Sequence, residues 1–190
     1  MGKFVFEETD IKGLKVITPF IARDNRGFFS KRFEREEFEA NGIEVDIYEC
    51  MESFSVRGVL RGLHFQKKES QAKLLHTIVG EIFDVVVDLR ENSATYGKWK
   101  GFYLSGENKK SIYIPRGFAH GYLTVSDMAI VGYYADNRFA SEYDGGILWD
   151  DPDIGIDWPL EKVDNKIVIS PKDELLETFK SFYENVRYVE

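Results

Sequence analysis

The sequence predicts an all-β jelly roll with a few short peripheral helices, and three observations carry that expectation. Glycines punctuate the middle of the chain at short intervals, at 27, 58, 62, 80, 97, 101, 106, 117, 121 and 132 and as the pair 145–146. Between them lie runs rich in Val, Ile, Phe and Tyr, over residues 77–79, 82–89, 101–104, 111–114 and 129–134, which read as strands. Many short strands with turn residues between them are the pattern of a sandwich or barrel. Helix signals, the third observation, are few. Residues 32–41 set Phe33 and Phe38 on a charged frame that stops at Asn41-Gly42, a predicted C-cap. Residues 172–183 space Leu175, Leu176, Phe179 and Phe182 as on one helical face, which predicts a C-terminal helix.

The 190 residues suit one domain spanning 1–190, with no repeat, low-complexity stretch or Pro/Gly/Ser linker to divide it. A content of 43% hydrophobic and 15% aromatic residues excludes a disordered chain. No apolar run approaches the roughly 20 residues of a membrane-spanning helix. The N-terminus turns acidic within seven residues and has no expected signal-peptide core. The lone Cys50 cannot form an intrachain disulfide and suits a reducing, cytoplasmic setting. Lys and Arg number 25 against 33 Asp and Glu, a net −8 without any basic run, so nucleic acid is not an expected partner. An anionic small molecule remains allowed, because its binding depends on local charge.

The densest chemical segment is Gly58-Val-Leu-Arg-Gly-Leu-His64-Phe-Gln, followed by Gln71-Ala-Lys73. Histidine is the side chain best matched to moving a proton near neutral pH. A lysine nine residues on would stabilise a developing oxyanion. Arg61 and His64, three apart, would face opposite sides of a flat strand unless Gly62 allows a bulge that turns both inward. A strand-edge histidine with surface cations is the plainer alternative. His76 is expected on the opposite face from Lys73 and reads as a packed imidazole. His120 follows a tight turn marked by Pro115 and Gly117, and spacing leaves it open between structure and function. Of the adjacent Tyr133 and Tyr134 one should face inward, as a hydrogen-bonded core residue or as a proton donor. Asp84 shares a strand face with Asp88 and needs a partner or a solvated cavity, which makes it a candidate supporting carboxylate. Asp173 follows Ser170-Pro171 at the start of the last predicted helix, where the helix dipole favours a carboxylate. P-loop, GxGxxG, GxSxG and CxxC motifs are absent, and no two histidines are spaced as HxH or HxxxH.

Taken in order, these segments resemble the nucleotide-sugar 3,5-epimerases of the dTDP-4-dehydrorhamnose 3,5-epimerase type. The likeness runs from DNRGFF at 24–29 to SPKD at 170–173 and includes VLRGLHFQ, QAKL, GEIFDVVVDLR, SATYGKW, LSGENK, IPRGFAHG and GILWDDPDIGIDWP. It implies a cupin-type jelly roll that needs no metal or other cofactor, and a homodimer whose sites borrow from both chains. By the same resemblance, His64 would remove the proton next to the C4'' ketone of a nucleotide-diphosphate sugar, with Asp173 orienting it. Tyr133 would return a proton to the other face of the sugar, and Lys73, helped by Arg61, would stabilise the enolate oxygen. Arg26, Arg61, His120, Asp144 and Lys172 match positions around the substrate or its phosphates. Glu49, Met51 and Phe139 match positions around the nucleotide and sugar, and there the chain departs from the family. Glu49-Cys50-Met51 stands where Gln-Asp-Asn is usual, and Phe139 where Tyr is usual. Ser30 replaces a common Glu, and Ala22 a common aromatic. The His, Asp, Lys and Tyr positions are kept, so the chemistry is expected to be retained while the exact sugar or nucleotide stays open.

The default reaction is therefore the conversion of dTDP-4-dehydro-6-deoxy-D-glucose to dTDP-4-dehydro-L-rhamnose, a step towards cell-surface polysaccharide. One alternative keeps the fold but inverts a single carbon or takes another nucleotide sugar. From other classes come a metal-dependent cupin using His64, His76 and His120, and a catalytically silent sugar-binding jelly roll. The opposite facing of Lys73 and His76 argues against the first. The joint presence of acid, base and oxyanion groups argues against the second.

Overall fold

The computed structural model describes residues 4–185. In chain order the strands are β1 (Val5–Glu8), β2 (Lys15–Thr18), β3 (Phe20–Asp24), β4 (Gly27–Lys31), β5 (Glu49–Val56), β6 (Leu60–Gln66) and β7 (Lys73–Val79). They continue with β8 (Glu81–Asp88), β9 (Trp99–Ser105), β10 (Ser111–Ile114), β11 (Phe118–Thr124), β12 (Met128–Ala135) and β13 (Asp144–Gly146). Two short helices, α1 (Arg35–Ala40) and α2 (Phe179–Asn185), flank them. One sheet runs β1-β2-β10-β7-β12-β5, the other β13-β6-β11-β8-β9, and β3 and β4 form a separate hairpin. Every strand pairing within these sheets is antiparallel, so the expected jelly roll is what the chain adopts.

The middle of each sheet is covered on both faces, which explains the nearly continuous apolar runs. Along β8, Ile82 and Val86 point between the sheets, with Leu75, Ile112, Phe118 and Val131. Phe83, Val85 and Val87 point the other way, under a layer built from Ile147, Ile154, Trp158 and Phe182 of the C-terminal chain. On the far side of the larger sheet, Ile17 and Leu74 pack under Phe38 of α1, Ile43 and Val45. The period-2 alternation therefore sends Leu74 outward and its neighbours Lys73 and Leu75 inward.

The helix expected over 32–41 starts later, at Arg35, and its C-terminus falls where the sequence placed it. Asn41 is the C-cap and Gly42 takes the left-handed conformation, φ +73°. Arg32 lies before the helix, which follows the extended Glu34, and its guanidinium donates to the Lys109 carbonyl across the fold. The helix expected over 172–183 needs correction. Asp173–Leu175 is a single 3-10 turn, Glu177 bridges Ile147 through its backbone, and only Phe179 onward is α-helical. Phe182 is buried at 1% exposure, whereas Leu175 stands 85% exposed. The apolar spacing was produced by a turn, a bridge and a helix in series, not by one helical face.

Candidate active site

The inter-sheet space is apolar around β8 and β10 and becomes polar towards β6, β5 and β12. The change depends on one extra residue. His64 lies opposite His120, and Arg61 opposite Tyr122, so three residue steps on β6 match two on β11. That bulge restores Arg61 and His64 to the same inner face. It is possible because two glycines meet there: a Cβ on Gly62 would lie 2.6 Å from Gly121 Cα, and one on Gly121 would lie 2.5 Å from the Arg61 carbonyl oxygen. Gly62 also has φ +116°, a conformation that side-chain-bearing residues avoid.

The His64 Nε2 atom is 2.8 Å from Asp173 Oδ1, and Asp173 Oδ2 accepts the backbone N–H of Gly62 at 3.2 Å. Burial alone would raise the pKa of Asp173, but the bonds from His64 and Gly62 outweigh it and hold the carboxyl below its usual range. The carboxylate fixes the tautomer with hydrogen on Nε2, leaving the Nδ1 lone pair as the basic site. A second His–carboxylate pair lies alongside, with His120 Nε2 2.7 Å from Asp84 Oδ2. Burial pushes the Asp84 carboxyl up, opposed by His120 and by Lys73. Burial likewise pushes the Lys73 ammonium down, while Asp144 and Asp84 hold it up. Burial thus leaves the Lys73 amine in a poorly hydrated setting, where an ammonium acts most strongly on a forming oxyanion.

Tyr133 reaches the same space from β12 of the other sheet, and its hydroxyl lies 3.0 Å from Ser53 Oγ. Burial, then the neighbouring Tyr122, push its phenol well above the usual range. Tyr134 points the opposite way and stacks on His76, with ring centroids 6.0 Å apart. His76 is thereby placed on the outer side of the sheet, away from His64 and His120, as expected of a packed imidazole. Among the described residues no three His, Cys, Asp or Glu side chains converge on a point that would hold a metal.

A cavity of about 360 Å³ joins these groups, within the size range of small-molecule sites. Of the sequence candidates, Met51, Arg61, His64, Lys73, His120, Tyr133, Phe139, Asp144 and Lys172 line it. Asp173 stands behind His64. Glu49 does not line the cavity; its carboxylate accepts the backbone N–H of Phe139 at 2.9 Å and so fixes the segment that carries that ring. Lys172 is ion-paired with Asp144 at the mouth. Arg26 sits at the tip of the β3–β4 hairpin, bonded to Asp24, among Ala22, Phe28 and Phe29 and outside this cavity. Ser53, Tyr122 and Gln66 also line it and escaped the sequence reading. The signal for Ser53 was only the i, i+2 spacing of Ser53 and Ser55 on a polar strand.

His64 and Tyr133 thus face one cavity from opposite sheets, with a lysine beside them. A profile of the family described as dTDP-4-dehydrorhamnose 3,5-epimerase matches residues 8–181. The chain belongs to the dTDP-4-dehydrorhamnose 3,5-epimerase family. This is a family of isomerases. The dTDP-4-dehydrorhamnose 3,5-epimerase of Methanothermobacter thermautotrophicus is 51% identical over 189 residues, covering 100% of both chains. The one from Escherichia coli K12 is 44% identical over 172 residues, 90% of this chain and 91% of its own. The fold agrees with a crystal structure of the 3,5-epimerase of Legionella pneumophila in complex with dTDP-4-keto-L-rhamnose. That likeness has a TM-score of 0.92 at 38% identity and covers 98% of this chain and 99% of the other.

Proposed function

We propose that the chain inverts C3'' and C5'' of dTDP-4-dehydro-6-deoxy-D-glucose, giving dTDP-4-dehydro-L-rhamnose. The observation that carries this reading is the opposition of His64 on β6 and Tyr133 on β12 across one cavity that also holds Lys73. His64 Nδ1 removes the proton from a carbon next to the C4'' ketone. The electron pair moves into the carbonyl, and the enolate oxygen is met by the Lys73 ammonium. Tyr133 then delivers its phenolic proton to the opposite face of the same carbon, which inverts it. The ketone itself serves as the electron sink, so no step calls for a cofactor. Asp173 orients His64, and Asp84 orients His120 towards the sugar. Lys172 and Arg61 suit the diphosphate, Arg61 through its bidentate fork. Phe139 and Met51 offer an apolar platform for the base, with Glu49 holding Phe139 in place.

The same reading gives Arg26 a place. It lies outside its own chain's cavity, on a hairpin whose Phe28 and Phe29 are 51% and 61% exposed. In a homodimer that exchanges hairpins, Arg26 would complete the partner's diphosphate site. Light scattering that returns a monomer mass would remove this part of the proposal. Among the described residues no helix is long and apolar enough to cross a membrane. With the lone Cys50 exposed, a reducing cytoplasm is the compartment that fits.

The test is incubation with dTDP-4-dehydro-6-deoxy-D-glucose in D2O, followed by NMR. Deuterium at both C3'' and C5'' with formation of the L-rhamno product is expected, and His64→Ala should abolish both. Deuterium at one carbon only would reassign the chain to single-carbon epimerisation. Exchange at neither carbon would refute the proposal for this substrate.

A further inference from the structure

A row of hydroxyl groups links Arg61 to Tyr133. Arg61 Nε donates to Ser55 Oγ at 3.1 Å, and its Nη2 donates to the Phe54 carbonyl at 3.2 Å. Ser55 Oγ lies 3.2 Å from the Tyr122 hydroxyl, which lies 2.9 Å from Ser53 Oγ. Ser53 Oγ in turn lies 3.0 Å from the Tyr133 hydroxyl. Ser55 and Tyr122 are 2% and 1% exposed, so bulk water does not serve their hydroxyls.

The first bond gives the second its direction, and the row can continue in the same sense. A guanidinium only donates, so Ser55 Oγ is the acceptor from Arg61. The hydrogen of Ser55 is buried and, among the described residues, has the oxygen of Tyr122 as its acceptor. With Ser55 donating to it, Tyr122 has Ser53 as an acceptor at 2.9 Å, with the Tyr133 phenol also close by. Ser53, having accepted from Tyr122, is placed to give its hydrogen to the oxygen of Tyr133 at 3.0 Å. In that arrangement the phenolic hydrogen of Tyr133 is directed at neither Ser53 nor Tyr122.

We propose that Arg61 sets the polarity of this chain, so that Ser55, Tyr122 and Ser53 act as positioning residues which hold the O–H of Tyr133 towards the substrate, with the Ser53 hydroxyl supporting its phenolate. The inference rests on the reading of Tyr133 as the proton donor. When its O–H bond breaks and the proton forms the new C–H bond, the oxygen left behind accepts the Ser53 hydroxyl. Solvent later replaces the proton that Tyr133 gave and takes the one that His64 received. Burial makes an unsupported phenolate costly at this position and the neighbouring Tyr122 adds to that cost, while the Ser53 bond acts in the opposite sense. None of the three positioning residues needs to touch the sugar for this.

Removal of the proton by His64 does not pass through the chain, which allows a selective test. The NMR incubation in D2O is run on wild type, Ser53→Ala and Tyr122→Phe, reading both deuterium in recovered substrate and inverted product. Both variants are expected to keep deuterium incorporation within about threefold of wild type while inverted product falls by about tenfold or more. A product-to-exchange ratio equal to that of wild type overturns the inference, whether both rates hold or both fall together. Tyr122 is a fully buried residue. If Tyr122→Phe fails to fold, the ratio in Ser53→Ala, at a half-buried site, decides alone. Wild type showing neither exchange nor product would instead be the failure of the proposed function, and is distinguished in the same spectra.

Discussion

Replacing Asp173 separates two jobs that its carboxylate performs, because the two oxygens have different partners. Oδ1 faces His64 Nε2 at 2.8 Å and Oδ2 accepts the buried Gly62 N–H at 3.2 Å. Asp173→Ala removes both. The loss of a charge-assisted bond to the imidazole, about 1.5–3 kcal/mol, corresponds to a fall in kcat of roughly 10- to 150-fold. The buried Gly62 N–H, left unpaired, costs a further ~1–3 kcal/mol of stability. Asp173→Asn behaves differently. Its amide has one acceptor and must choose between two donors, and Gly62 cannot change its N–H whereas an imidazole can change tautomer. The Asn oxygen therefore stays on Gly62 and its NH2 group faces His64 Nε2, moving the ring hydrogen to Nδ1, where the base is needed. A wrong tautomer of this kind costs on the order of 10⁴-fold in kcat. The isosteric variant should thus be the slower enzyme and the more stable protein. Melting temperature should fall further for Ala than for Asn, at about 2–4 °C per kcal/mol for a chain of this size. Steady-state kinetics and thermal melts on both variants suffice. An Asn variant as fast as the Ala variant would refute the tautomer argument, and equal melting temperatures would refute the role assigned to Gly62.

Three further outcomes are expected. Lys73→Met should lower deuterium exchange and inversion together, by roughly 10²- to 10³-fold, because the enolate precedes both; retention of wild-type exchange would remove Lys73 from that step. His76 is held down to about 4 by burial and then by the charges of Arg32 and Lys109, against 6.5 in the unfolded chain. The unfolded state therefore binds the extra proton in that window, so stability is full above pH 6.5 and declines towards pH 4 by up to roughly 3 kcal/mol. Denaturant titrations of wild type and His76→Gln across that range should show a shallower decline in the variant, and parallel curves would contradict the assignment. Gly121→Ala would set a methyl 2.5 Å from the Arg61 carbonyl and should cost ~1–3 kcal/mol while displacing His64. Wild-type melting and kcat would show that the bulge yields without consequence.

Strands 77–79, 82–89, 101–104, 111–114 and 129–134 were legible because sheets covered on both faces need long apolar runs, and each expected strand lies largely within β7 to β10 or β12. The N-terminal strands were not, since β1 and β5 are mostly exposed and their composition is mixed. Most of the candidate cavity was legible as residue types: His64, Lys73, His120 and Tyr133 stood out as proton- and charge-handling groups in the midst of strand sequence. Ser53, Ser55 and Tyr122 did not, because a serine or a buried tyrosine acquires meaning only from what its hydroxyl meets. The misread helix at 172–183 is the converse case. There an apolar spacing was present, yet the pull of His64 on Asp173 and the bridge between Glu177 and Ile147 overrode it.

By itself the sequence determined the β class, the family and the chemical inventory, because these depend on local alternation and on which side chains are present. It determined Tyr133 inward and Tyr134 outward only as a choice of two, and left Arg61 and His64 on opposite faces unless a bulge intervened. Tertiary structure made those choices. Side-chain direction alternates with a period of two, so one inserted residue at Gly62, admitted only because Gly121 lies against it, reverses the face of everything beyond. The pairing of His64 with Asp173 spans 109 residues and follows from sheet order, which no local pattern encodes.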